Sequence, residues 1–288
     1  MHKELDYVII AINNQTERGE RFMPIIKGLE WTFDTVAQQY EKLRPEYVPE
    51  LYEDIFKYKQ IDKTSHVIEV GIGGGQATLP ILKTGCQITA VEYGKNFSEL
   101  CRYKFREFPE FSVVTSKFED FPYESNSCDF IYSASAFHWV PEDMGYPKVF
   151  DMLKSGGAFA RFANHPYKDK GREEIHQAFQ KIYDVYMPNS MEGSEYDEKS
   201  AKERADIAQK YGFVDICYKL YHRTRTFSAK EYTALLGTYS DHSILRSAVS
   251  ASIRITKSRS QRRTTPIPNC TFWPQTMAGL RSKASSRR

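Results

Sequence analysis

Residues 67–78 read VIEVGIGGGQAT: an apolar run, a turn dense in glycine and the start of a helix, followed at the end of the next apolar run by a lone acid, Glu92. Strand, glycine turn and helix in that order build a loop whose backbone a nucleotide-type ligand can approach closely. The glycine spacing decides which ligand. Gly71, Gly73 and Gly75 alternate, with Glu69 two residues before the first of them. Counting from Gly71, the last place of a Gly-x-Gly-x-x-Gly dinucleotide fingerprint falls on Gln76, which disfavours a pyrophosphate binder.

Around this turn the chain alternates strands with helices. HVIEVG, QITAVE, FSVVTS, CDFIYSA and GGAFARFA read as strands, and helices are expected at Ala77 to Lys83, Phe97 to Phe108 and Tyr146 to Leu153. That rhythm predicts an α/β fold with a mostly parallel, Rossmann-like sheet and right-handed crossovers. Pro49 to Tyr58 is expected to form a helix ahead of the first strand. Helices rich in Tyr and Phe (173–186 and 198–211) follow the fifth strand and are expected to act as an α-helical lid. A late strand and a helix (Ala229 to Gly237) come after them.

Three regions are expected: an N-terminal extension (1–29), the catalytic domain (30–243) and a basic, disordered tail (244–288). From Ser243 onward there are ten Lys/Arg and no acids, so the overall charge of +3 conceals a net acidic body. Such a body gives no general reason to bind nucleic acid. The five cysteines show no C-x-x-C spacing, which signals neither a metal site nor a disulfide framework and fits a reducing cytoplasm. No apolar run approaches the roughly 20 residues that span a bilayer.

The E-x-G-x-G-x-G form from Glu69 to Gly75 resembles the first motif of class I S-adenosylmethionine-dependent methyltransferases. FDTVAQQYEKLRPEYV (33–48) and SASAFHWV (133–140) are similar to the branch that includes trans-aconitate and juvenile-hormone-acid methyltransferases. The resemblance runs from about Trp31 to His242. It implies S-adenosyl-L-methionine as cofactor, with Gly71, Gly73 and Gly75 admitting its methionine end and Glu69 orienting that end. Glu92 would take both ribose hydroxyls, and Tyr40 and Arg44 would close over the methionine end, Arg44 pairing the carboxylate. Phe118 and Glu119 are the candidates at the adenine, because Lys117 stands where many relatives have Asp. Ser133 ends the fourth strand beside the cofactor. His138 is the candidate base or hydrogen-bond donor, and Trp139 would wall the acceptor pocket. FSAKEYTALLGTYSDH, with Thr238, Tyr239 and Ser240, looks like the acceptor-side helix. The implied reaction is methyl transfer to a small molecule, with a carboxylate oxygen as the leading acceptor. The alternatives are a catalytically impaired, cofactor-binding relative and a nucleic-acid methyltransferase guided by the basic tail.

Relatives in this family insert a final antiparallel strand between the fifth and sixth. Here that place falls on SRSQRRTTPIPNCTFWPQTM (258–277), with Pro266, Pro268 and Pro274. Proline cannot donate to a ladder, so the seventh strand is expected to be missing, as a reading-frame change shortly after His242 would produce.

Overall fold

In the computed structural model, residues 33–165, 173–186, 196–225, 227–239 and 272–278 are described. The strands β1 (His66–Val70), β2 (Gln87–Glu92), β3 (Phe111–Thr115), β4 (Cys128–Ala134) and β5 (Leu153–Asn164) pair in parallel in the order β3-β2-β1-β4-β5. β1 and β4 are covered on both faces, which is why they read as apolar runs with no alternation. β3 forms the edge and buries only Val113 of its five residues.

Two cores cover the sheet. On one face Val67, Phe130, Tyr132 and Phe162 meet Leu51 and Ile55 of α2 (Pro49–Tyr58) and Ile81 of α3 (Thr78–Leu82). On the other, Ile68, Val70, Ile131 and Phe159 meet Tyr146, Val149 and Met152 of α5 (Glu142–Met152). Each such side chain taken fully from water contributes about 1.5–3 kcal/mol. α2 begins on Pro49, whose fixed φ and missing N–H suit the first helical position. Its buried Asp54 accepts hydrogen bonds from Lys219 and Tyr221 of β6 (Tyr218–Thr224), tying that strand to the helix.

Between β1 and β4 the strand order reverses. Such a switch point opens a crevice beyond the carboxyl ends of the strands, and the glycine turn lies at its rim. α4 (Lys95–Lys104) follows β2. After β5 come α6 (Glu173–Tyr186) and α7 (Glu198–Asp206) in the interval expected of a lid, then β6 and α8 (Ala229–Leu236). Among the described residues no helix is long and apolar enough to cross a membrane.

The expectation that the final strand is missing is overturned. β7 (Phe272–Ala278) lies between β5 and β6 and runs antiparallel to both, completing a seven-stranded sheet in the order β3-β2-β1-β4-β5-β7-β6. It pairs with β6 along its whole length but with β5 only at Ala163↔Thr276 and Asn164↔Gln275. Pro274 lies one residue beyond the last of those two pairs, where that side of β7 is already an edge, and proline is tolerated at an edge. The other prolines, and the rest of 244–288, lie outside the described residues, as does the extension at 1–29.

Candidate active site

Gly71, Gly73 and Gly75 all hold positive φ, +72°, +53° and +72°, which accounts for the alternation: every second residue of the turn needs a left-handed backbone. Gly71 also permits a close approach. A Cβ built there would lie 2.3 Å from the Cβ of Ala136, so the chain leaving β4 presses directly on the turn.

Glu92 closes the turn from β2. Its Oε2 accepts from the Gly73 N–H at 2.8 Å and its Oε1 from the Gly94 N–H at 2.7 Å. Burial pushes its pKa up and the two amides oppose that shift. A carboxylate has about four acceptor positions, so each oxygen can take one further donor from the crevice.

Glu69 is fully buried. Its Oε2 accepts from Thr78 at 2.8 Å and from the Tyr132 phenol at 2.6 Å, while Oε1 is buried with no hydrogen-bond partner. Burial pushes the Glu69 carboxyl up to about 8 against the bonds from Tyr132 and Thr78. The folded protein therefore keeps this proton well above the ordinary value of 4.5. Its stabilising contribution is complete below pH 4.5 and is lost as pH climbs towards 8. His138 and His165 carry the opposite sign: burial, then neighbouring positive charges, push both down to about 3 from 6.5, so their contribution is present above 6.5 and is lost as pH falls. Stability is expected to peak near pH 6.5. Glu69→Gln should remove Glu69's share of the alkaline decline, up to about 1.4 kcal/mol per pH unit, as measured by urea unfolding from pH 5 to 9. An unchanged decline would place the proton elsewhere.

Above the turn, a row of side chains crosses the crevice mouth. Phe33 meets Trp139 edge-on at 6.0 Å and Tyr40 at 5.9 Å, and Tyr40 meets Phe97 at 5.2 Å. The Arg44 guanidinium lies over Tyr40 (4.8 Å) and Tyr239 (3.8 Å) and donates from Nε to Thr238 Oγ1 and from Nη2 to the Thr238 carbonyl, both at 2.9 Å. The segment after α8 (Ala229–Leu236) thus meets Arg44 through Thr238 and Tyr239, while Ser240 lies outside the described residues. Asp34 fastens the start of this row: its carboxylate accepts from the N–H groups of Asn96 (3.2 Å) and Phe97 (2.9 Å) in the first turn of α4.

Where β4 ends, Ser135 takes a left-handed φ of +57°, a conformation that costs a non-glycine residue energy and is held by its surroundings. Its Oγ shares a hydrogen bond with the Tyr47 phenol at 2.8 Å and accepts from the Asn164 N–H at 3.3 Å. This kink launches the 3₁₀ turn Phe137–Trp139. Phe137 is buried, while His138 and Trp139 are half-buried at the crevice.

The remaining expected residues occupy varied places. Ser133 is buried and donates to the Val70 carbonyl at 2.7 Å, so its hydroxyl locks β4 to β1. Phe118 is buried against Phe137 at 6.3 Å, and Glu119 is half-buried. Both line a cavity of about 420 Å³ together with Val140, Gly145 and Lys148. Lys148 donates to the carbonyls of Glu119 (2.9 Å) and Phe121 (2.6 Å), fixing that loop.

Sequence reasoning missed Arg161, Tyr47 and Asp34. Arg161 carried a usable signal, a charge at an inward place in GGAFARFA. Asp34 and Tyr47 carried none, because their partners lie far away in sequence.

Residues 68–160 match the family described as a methyltransferase domain. The chain is 23% identical over 217 residues to an uncharacterised methyltransferase of Schizosaccharomyces pombe, covering 73% of this chain and 78% of that one. It is 25% identical over 131 residues to an uncharacterised methyltransferase of Mycobacterium bovis, covering 46% of this chain and 51% of that one, so it spans about half of that relative's length. A solved structure from Anaeromyxobacter dehalogenans superposes with a TM-score of 0.55 at 16% identity, covering 83% of this chain and 97% of that one, a likeness of fold.

The doubly wound sheet, the glycine turn at its switch point and the matched domain define a methyltransferase of the class I architecture. It is S-adenosylmethionine-dependent. The crevice fits that cofactor: the carboxylate of Glu92 has acceptor capacity at the rim, and the partnerless Oε1 of Glu69 lies behind the turn.

Proposed function

We propose that the protein methylates a small-molecule acceptor on a carboxylate oxygen. The observation that carries this reading is the setting of His138, the one imidazole in the turn after β4. Burial and the charges of Arg161 and Arg204 push it down to about 3, so it is a very weak base. A hydroxyl or ammonium acceptor needs a group that removes its proton near neutral pH. A carboxylate is already ionised and needs none, and the same positive surroundings attract it.

S-adenosylmethionine, when bound, supplies an activated sulfonium methyl. Glu92 would hold the ribose hydroxyls on its remaining lone pairs, and Arg44 the methionine carboxylate on N–H groups not committed to Thr238. Tyr40 would cover the methionine end, Phe118 and Glu119 would border the adenine, and His138 and Trp139 would wall the acceptor. With no proton to move, the work of these residues is alignment and exclusion of water.

The test is mass spectrometry of a metabolite extract incubated with the protein and isotope-labelled methyl donor. The expected product carries one labelled methyl that mild alkali releases as methanol. A label stable to alkali would overturn the carboxylate acceptor, and no transfer by folded protein that binds S-adenosylhomocysteine would overturn the reaction.

A further inference from the structure

We infer that Arg161, seconded by Arg204, selects the acceptor by receiving an anionic group, carboxylate or phosphate, other than the one that is methylated. This rests on the methyltransferase reading above.

Arg161 lies in β5 within an otherwise apolar run and is only 6% exposed. A guanidinium so buried requires compensation, because taking a charge out of water is costly unless it is paired. Its Nη1 donates to the Tyr146 phenol at 3.1 Å, and its Cζ lies 5.1 Å from the centre of the Phe137 ring. Both contacts fix the side chain, and neither neutralises it. No carboxylate among the described residues forms an ion pair with it.

The position suits an acceptor. Arg161 pairs in register with Ser133, whose hydroxyl bonds to Val70, the residue before the glycine turn. It therefore lies at the height of the turn, two strand spacings or about 10 Å across the sheet.

Other groups converge from the elements around it. Arg204 of α7, 6% exposed, rests 5.0 Å over the Tyr196 ring. That ring stacks on His165 at 4.3 Å with the planes 4° apart. The Nε2 of His165 is buried without a hydrogen-bond partner among the described residues. Burial, with the charges of both arginines adding to it, keeps the imidazoles of His138 and His165 neutral, so neither adds a charge of its own. The result is a buried positive locus, furnished by β5 and α7, with an unused ring nitrogen beside it. An oxygen gripped by a guanidinium has its lone pairs engaged and is a poorer nucleophile, so the group held here is not the one that receives the methyl.

The test uses the full chain saturated with S-adenosylhomocysteine and titrated at constant ionic strength with succinate, inorganic phosphate or the neutral succinamide. Binding is followed by calorimetry and thermal shift. At least one anion is expected to bind saturably and succinamide is not. A response to succinate alone assigns a carboxylate, and a response to phosphate alone assigns a phosphate. Arg161→Gln should weaken the anion roughly tenfold or more, while S-adenosylhomocysteine affinity stays within about twofold, as expected for a separate site. Should that variant fail to fold, Arg161→Lys carries the comparison: it keeps the charge but loses the planar fork, so anion affinity falls with cofactor affinity retained. Equal binding of succinamide, no response to either anion, or wild-type anion affinity in the variant that folds would overturn the proposal. The last three outcomes with S-adenosylhomocysteine still bound strike the subsite alone, whereas a wild type that binds no S-adenosylhomocysteine strikes the methyltransferase reading and the subsite with it.

Discussion

Glu92→Ala is expected to raise the dissociation constant for S-adenosylhomocysteine at least 100-fold, about 2.7 kcal/mol, in calorimetric titration. Two effects combine. The carboxylate receives the Gly73 and Gly94 amides, one on each oxygen, and in the proposed complex also the ribose hydroxyls. Hydrogen bonds to a charged group contribute about 1.5–3 kcal/mol each, and the two amides left behind have no alternative acceptor in the alanine variant. The turn itself is therefore loosened, and unfolding stability should drop by about 3–6 kcal/mol. Glu92→Gln separates the two effects: its one carbonyl oxygen still serves one amide, so stability recovers in part while nucleoside binding stays weak. Wild-type affinity in a folded Glu92→Ala variant would show that the sugar is held by something else.

Gly71→Ala carries the second large effect. A φ of +72° costs an alanine about 1–2 kcal/mol, and the new methyl would lie 2.3 Å from the Ala136 Cβ. Neither methyl belongs to a flexible side chain that could rotate aside. Relief requires moving the segment between β4 and the 3₁₀ turn, and such overpacking costs a further 1–3 kcal/mol or so. The total, about 2–5 kcal/mol, should appear as a lowered urea midpoint, with methyl transfer lost because the displaced segment leads into the 3₁₀ turn that bears His138 and Trp139. Adding Ala136→Gly removes the collision but not the backbone strain. The double variant should regain the packing share, and strict additivity of the two substitutions would refute the contact.

The parallel half of the sheet was legible because its signals are local. β1, β2 and β4 are apolar runs between turn residues, and Pro49 with its helical spacing marks the start of α2 at the observed residue. The glycine alternation was legible for the same reason, since φ is a property of a single residue. β7 was misread because the rule against proline in a strand presumes partners on both sides, whereas Pro274 lies past the end of the β5 pairing. That information belongs to the tertiary structure. Ser133 was legible as lying at the end of the fourth strand, but its bond to Val70 was not, since it depends on the register of two strands distant in sequence. Arg161 was passed over because a strand with one charge still scores as apolar, although a charge on an inward-facing place is the informative exception.

Asp34 finishes the first turn of α4 in place of a local capping residue, since Gly94, at the helix start, offers no side chain for the task. Raising the Phe33–Tyr40 segment to admit a nucleoside would strip those amides of their acceptor, and the loss of such a cap costs about 0.5–2 kcal/mol. Admission by that movement and helix fraying would then be one event, opposed by the strength of two hydrogen bonds.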